Sequence, residues 1–255
     1  MSAGRSTSVT FWTPCGVEVP AVTTDQMREI DRIAMEETGP NLFQMMENAG
    51  RNLAEMAIEC LGSNWRQAKI VVLAGTGGNG GGGIAAARHL ANHGARVALC
   101  LARPAGLGEV PAWQRKIFQS TSGTEVLPRD LEKDTVHFIL DALLGYGLDS
   151  TPSGVFSDLI GWANSTGAPI LSLDVPSGMN STTGEKPGPS VQAVWTMTLA
   201  IPKTGLAAGN VGQLVLADIG IPIGTYRRIG LPYVSPFFDR FRVLLSVRRG
   251  ADGRQ

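Results

Sequence analysis

The stretch Lys69-Ile-Val-Val-Leu-Ala-Gly-Thr-Gly-Gly-Asn-Gly-Gly-Gly-Gly-Ile-Ala-Ala-Ala-Arg-His-Leu90 decides the fold. It opens as a short apolar run rich in β-branched residues, the pattern of a strand buried on both faces. It closes as a small-residue helix. Between the two lie seven glycines in nine positions, Gly75 to Gly83. Glycine lets the chain turn sharply and lets a ligand approach the backbone. The helix that starts there offers unpaired N–H groups and the positive end of its dipole, a setting suited to phosphate.

Working outward, further apolar runs predict strands at Arg96–Ala102, His137–Leu143, Pro169–Asp174, Val194–Ala200 and Gln213–Asp218. Helices are predicted between them at 79–94, 106–121 and 153–165. Upstream, Thr23 with Gln26 reads as a capping box that starts a helix near Asp25. Asn41 with Gln44 starts a second helix that runs to Gly62. Strands alternating with helices mean an α/β protein whose mostly parallel, doubly wound sheet is covered on both faces. Such sheets bind ligands beyond the carboxyl ends of their strands.

The 255 residues suit one large α/β domain. We read it as residues 21–225, with a flexible arm at 1–20 and a basic tail at 226–255. The tail carries seven arginines against Asp239 and Asp252. Over the whole chain 22 basic residues balance 22 acidic ones, which argues against nucleic-acid binding through bulk charge. A content of 43% hydrophobic residues excludes a disordered chain. Cys15, Cys60 and Cys100 are too few and too scattered for a disulfide framework or a four-cysteine zinc site, and are expected to be inert core thiols. His89 and His93 are four apart on one helix, but no third ligand completes a zinc motif. No apolar run approaches the ~20 residues of a membrane helix, and Met1 to Thr10 lacks the apolar core of a secretion signal. A cytoplasmic location is expected.

Four loops follow strands and carry chemistry. The glycine loop matches Gly75-x-Gly77-x-x-Gly80, a dinucleotide fingerprint. A hydride-transferring dehydrogenase would place an acid at the end of the next strand to hold the ribose, yet that strand ends Cys100-Leu-Ala-Arg103. No Gly-Lys-Ser/Thr is present, which excludes an ordinary P-loop. The second loop, Asp141-Ala-Leu-Leu-Gly145-Tyr146-Gly147-Leu148, and the third, Asp174-Val-Pro-Ser177-Gly178, each put a carboxylate at a strand end. Asn79, Asp141 and Ser177 follow three different strands. As oxygen donors with one carboxylate they suit a monovalent cation better than Ca²⁺. The fourth, Ile201-Pro-Lys203-Thr-Gly205, carries one of only five lysines, a side chain able to work as acid or base where arginine is not.

Taken together, these segments resemble the YjeF N-terminal-domain family, the NAD(P)H-hydrate epimerases. The likeness runs over about residues 22–222 in the family's order. It rests on Val22-Thr-Thr-Asp-Gln-Met-Arg-Glu-Ile-Asp31, Met46-Glu-Asn-Ala-Gly50, Gly77 to Gly83 with Ala87-Arg-His-Leu90, and the motifs at Asp141, Asp174 and Pro202-Lys203. The resemblance implies a three-layer αβα, Rossmann-like fold and a homodimer. It implies a potassium ion at Asn79, Asp141 and Ser177. Substrate contacts would fall on Gly78, Asn79, Gly80, Gly81, Gly82, Gly145, Tyr146, Gly147, Leu148 and Asp174, with Asp174 and Lys203 as catalytic acid and base.

The implied reaction interconverts the R and S forms of NADHX or NADPHX, reduced nicotinamide dinucleotides hydrated at C6. No hydride moves. A separate dehydratase acting on the same metabolite is implied as well, because the family's frequent C-terminal dehydratase domain does not follow residue 222. Two positions depart from the family's N-N-G-G-D-G helix start: its first Asn is Gly78 here, and its Asp is Gly82. The loss of a polar group beside the ion and of a carboxylate from the loop raises an alternative, a non-catalytic nucleotide-binding or dimerisation scaffold of the same fold.

Overall fold

A computed structural model describes residues 9–133 and 135–247 of the chain. In chain order the main elements are β1 (Thr10–Trp12), β2 (Glu18–Pro20), α1 (Thr24–Ile33), α2 (Leu42–Leu61), β3 (Lys69–Ala74), α3 (Gly78–Asn92), β4 (Arg96–Leu101), α4 (Glu109–Phe118), β5 (Thr124–Val126), β6 (Phe138–Ala142), α5 (Val155–Ser165), β7 (Ile170–Leu173), β8 (Trp195–Leu199), β9 (Gln213–Ala217), α6 (Ile223–Arg228) and β10 (Arg242–Val247). The strands form one ten-stranded sheet in the order β2-β1-β10-β9-β8-β7-β6-β3-β4-β5. From β9 to β5 every pairing is parallel. The chain winds outward from β3 through β4 to β5, then returns to the other side of β3 and winds from β6 to β9. The adjoining strands β3 and β6 therefore mark the topological switch point.

Both outer layers follow from alternation within the buried strands. Ile70, Val72 and Ala74 of β3 point to the face that packs against α2, α3 and Phe118 of α4. Val71 and Leu73 point to the face covered by Leu159, Ile160 and Ala163 of α5. Over β9 and β10 that second face is closed by loop residues, among them Val175, Met179 and Leu206. The doubly wound, three-layer expectation holds, with the second outer layer part helix and part loop. Both capping boxes form: Thr23 and Asn41 each accept from the backbone three residues on and are answered by Gln26 and Gln44.

The glycines beyond Asn79 serve packing. A Cβ on Gly80 would stand 2.0 Å from the Gly75 carbonyl oxygen, and one on Gly83 would stand 2.4 Å from Ala142 Cβ. Only a bare backbone lets α3 lie this close to the switch-point strands.

The terminal segments differ from expectation. Residues 10–20 are not a loose arm: β1 pairs with β2 and with β10, Phe11 opposite Val247. Nor does the chain after 225 trail off, since β10 pairs antiparallel with β9. Arg242 binds Glu55 and Glu59 of α2 at 2.6 Å each, and Arg228 pairs with Glu37. The sheet thus extends past the expected 21–225 boundaries at both ends. Residues 1–8 of the expected arm and 248–255 of the expected tail, with Arg248, Arg249 and Arg254, lie outside the described residues. The short strand β5 was not anticipated either. Three-residue strands carry too little alternation to register in a sequence pattern.

Candidate active site

A cavity of about 630 Å³ opens at the switch point, beyond the carboxyl ends of β3, β6, β7 and β8. Thr76 to Asn79 line it after β3, Leu143 to Ser150 after β6, Asp174 after β7 and Lys203 after β8. Met27 and Asp31 of α1 and Met45 and Met46 of α2 close its remaining wall. Helix α1 is held there by backbone pairing. Val22 bridges Lys203 in parallel, taking a bond from Thr204 N at 2.9 Å and giving one to Pro202 O at 2.9 Å. The chain then turns at the Thr23 cap into α1, where Met27 and Asp31, four residues apart, share a face.

Asp174 and Lys203 form the centre. Lys203 Nζ donates to Asp174 Oδ1 at 2.5 Å and to Leu199 O at 3.0 Å. Relative exposures of 3% and 1% leave the pair largely withdrawn from bulk water. Asp174 Oδ2 accepts from Tyr146 N at 3.1 Å. The Asp174 backbone has φ 67°, a left-handed conformation that costs energy in any residue with a side chain. That turn stops the strand and aims the carboxylate at the β8 loop.

Sequence reasoning did not single out Asp31 as a functional side chain. Its Oδ2 accepts the Tyr146 hydroxyl at 2.5 Å. Burial pushes the Asp31 carboxyl above its ordinary range and the charge on Asp174 adds to this, while Tyr146 and Lys203 pull the other way. The Tyr146 phenol is driven up by burial and by Asp31, and its ring lies 5.6 Å from Lys203 Nζ. Asp31 belongs to a motif quoted above, but 115 residues separate it from Tyr146.

Asp141 is fully buried at the end of β6. Its Oδ1 accepts from Ser177 Oγ at 2.6 Å, and its Oδ2 from Ser172 Oγ at 2.7 Å and Ser177 N at 2.9 Å. Burial pushes this carboxyl up, against the pull of those bonds. Ser177 Oγ also accepts from Leu144 N at 2.9 Å, tying β7's loop to β6's. Asn79, at the start of α3, is half-buried, but both atoms of its side-chain amide are buried and find no hydrogen-bond partner among the described residues.

Of the expected contact residues, Gly78, Asn79, Gly145, Tyr146, Gly147, Leu148 and Asp174 line the cavity, as does Lys203. Gly80, Gly81 and Gly82 do not: they are buried on the helix side of the loop. A Cβ on Gly82 would meet Leu173 Cδ2 at 2.9 Å and Ala49 Cβ at 3.5 Å. The missing carboxylate at 82 is therefore a difference in packing between α3, α2 and β7. Position 78 has room, its Cβ standing 3.6 Å from Met46 Cε. No cluster of three or more His, Cys, Asp or Glu among the described residues could hold a metal, and His89 instead bonds Glu47 at 2.8 Å.

Sheet and cavity together define a doubly wound α/β protein whose switch-point cavity holds a buried carboxylate–ammonium pair. The chain belongs to the YjeF-related protein N-terminus family, whose profile matches residues 42–205. It is 48% identical to an NAD(P)H-hydrate epimerase of Dehalogenimonas lykanthroporepellens over 93% of this chain and 97% of that one. An NAD(P)H-hydrate epimerase of Lentilactobacillus buchneri is 34% identical, over 79% of this chain and 94% of that relative. A bifunctional NAD(P)H-hydrate repair enzyme of Moorella thermoacetica is 33% identical, and the match spans only 40% of its length. The crystal structure of yeast ynu0 superposes with a TM-score of 0.77 at 21% identity, covering 90% of this chain and all of that one, which shows the shared fold.

Proposed function

We propose that the chain is an NAD(P)H-hydrate epimerase, converting the R and S forms of C6-hydrated NADH or NADPH into one another. The observation that carries this reading is the buried Asp174–Lys203 pair, 2.5 Å apart on the wall of the switch-point cavity. A protonated member of the pair donates to the C6 hydroxyl. The C6–O bond breaks, water leaves with the bonding electrons, and the ring nitrogen's lone pair forms an iminium. Water then adds to C6, gives up a proton, and the electrons return to nitrogen. Each positioned proton transfer contributes a factor of about 10²–10⁴. The cavity excludes bulk water from the pair, and the turn Thr76 to Asn79 faces the dinucleotide's phosphates with backbone N–H groups.

Asn79, Asp141 and Ser177 would hold a potassium ion. The unpartnered Asn79 amide oxygen and the buried Asp141 carboxylate fit a monovalent cation. Such an ion supplies counter-charge and ties together the loops after β3, β6 and β7. Of the two departures behind the scaffold alternative, position 82 does not line the cavity, whereas Gly78 does. A dehydratase acting on the same metabolite is the expected companion, in keeping with the bifunctional repair enzyme among the relatives.

The test mixes purified protein with R-enriched NADHX in potassium buffer and follows the epimers by chromatography. Epimerisation well above the buffer rate is expected, with a loss of about 10²-fold or more in Asp174→Asn. Wild type that matches buffer removes the reading. Choline in place of potassium tests the ion, and an unchanged rate and melting temperature would remove it.

A further inference from the structure

Epimerisation through a planar iminium makes a demand that one acid–base pair meets poorly. The hydroxyl leaves from one face of the ring, and water must arrive on the other. A proton is delivered on the first face and removed on the second, and each transfer needs a group within hydrogen-bond reach. Asp174 and Lys203 bond each other and both bond Leu199, so they form a single cluster at the ends of β7 and β8.

Among the described residues, three other titratable side chains line the cavity: Asp31, Tyr146 and Asp149. Asp149 is 79% exposed and paired with Arg28. Asp31 enters from α1, a different wall, and grips the Tyr146 hydroxyl at 2.5 Å. Tyr146 holds Asp174 through its backbone N–H and Asp31 through its hydroxyl. The two carboxylates are thus set apart by the length of one tyrosine side chain.

We propose, resting on the epimerase reading, that Asp31 and Tyr146 are a second proton-transfer pair, serving the face of the nicotinamide ring that Asp174 and Lys203 do not reach. In one direction the Asp174–Lys203 pair protonates the departing hydroxyl. The C6–O electrons leave with water and the nitrogen pair forms the C=N bond. Water attacks C6 from the other face and its proton passes to the Tyr146 oxygen as Tyr146 gives its own proton to Asp31. The C=N electrons return to nitrogen. In the opposite direction each pair takes the other's part. Nothing is oxidised or reduced, and one proton moves between the pairs per turnover. Burial, with the charge on Asp174 adding to it, raises the Asp31 carboxyl above its ordinary range, which eases its uptake of that proton.

The test is run in H₂¹⁸O with each NADHX epimer separately, on wild type, Asp31→Asn, Tyr146→Phe and Asp174→Asn. Wild type is expected to place ¹⁸O on C6 of both epimers while interconverting them. In Asp31→Asn and Tyr146→Phe, epimerisation falls about 10²-fold or more, while one epimer still exchanges its hydroxyl with retention of configuration. In Asp174→Asn the retained exchange belongs to the other epimer. A structural role would lower exchange and epimerisation together for both epimers, and that result overturns the proposal. So does epimerisation left unchanged by either Asp31→Asn or Tyr146→Phe. If Asp31→Asn does not fold, Tyr146→Phe carries the same reading alone. Wild type without epimerisation or exchange above buffer fails at the earlier step, the epimerase assignment itself.

Discussion

Val22 and Lys203 lie side by side as a parallel β-bridge, joined through the Pro202 carbonyl and the Thr204 N–H. The lysine that pairs with Asp174 is therefore anchored by a segment 181 residues earlier in the chain, ahead of α1. Val22 is fully buried, so no water replaces these bonds.

Val22→Pro removes the N–H that Pro202 O accepts. It is expected to cost about 1–3 kcal/mol, the range for leaving a buried carbonyl unpaired. It is also expected to lower turnover more than Val22→Ala, which trims the side chain but keeps the N–H. Chemical denaturation and the epimer assay measure both. Equal turnover in the two variants would count against the anchoring role.

Two glycines of α3 are expected to respond in opposite ways. Gly83→Ala drives a methyl to 2.4 Å from Ala142 Cβ, between α3 and β6, and is expected to destabilise by about 1–3 kcal/mol through overpacking. Gly78→Asn meets only Met46 Cε at 3.6 Å and is expected to stay within about 0.5 kcal/mol of wild type. Denaturant midpoints compare them directly.

Acid is expected to loosen the contact of α2 with α3 and α4. Glu47 bonds Arg88 at 2.5 Å, His89 at 2.8 Å and Gln114 at 3.3 Å. Burial and then Arg88 depress the His89 pKa, more than Glu47 raises it. Burial pushes Glu47 up, but Arg88 and His89 outweigh it and its net shift is downward. Both groups bind protons more readily when unfolded. Their contribution is complete above the ordinary imidazole range, and is lost as the pH falls through first the folded His89 value and then that of Glu47. Melting temperature should fall between about pH 8 and about pH 4 in wild type, and less steeply in His89→Gln. Parallel slopes would dismiss the cluster as a source of acid sensitivity.

The three thiols are not alike. Cys15 is exposed, contrary to the expectation of three core cysteines. Burial pushes Cys100 up to about 12 and Cys60 up to about 11. A thiol-reactive dye at mildly alkaline pH should label one cysteine of the native protein and three after denaturation, because the thiolate is the reactive form. Rapid labelling at Cys60 or Cys100, located by peptide mapping, would contradict this packing.

What the amino-acid order determined by itself was local. Lys69 to Ala74 had to become a buried strand because every side chain after the first is apolar, and the glycines after it had to turn. Thr23 with Gln26 and Asn41 with Gln44 start helices across three residues, a span any chain segment samples alone. Asp141, Asp174 and Lys203 were legible because each ends or follows an apolar run, and parallel sheets gather such ends at one edge.

Tertiary structure alone decided the rest. Nothing near Asp31 in sequence says that its carboxyl meets Tyr146, and nothing near Phe11 says that it pairs with Val247. Those contacts form only after the intervening sheet has closed the long loops between them. Gly80, Gly81 and Gly82 look like ligand contacts in a sequence because glycine suits both a ligand and a neighbouring backbone. Only the packed positions of Gly75, Ala49, Met46 and Leu173 show which of the two demands each one meets.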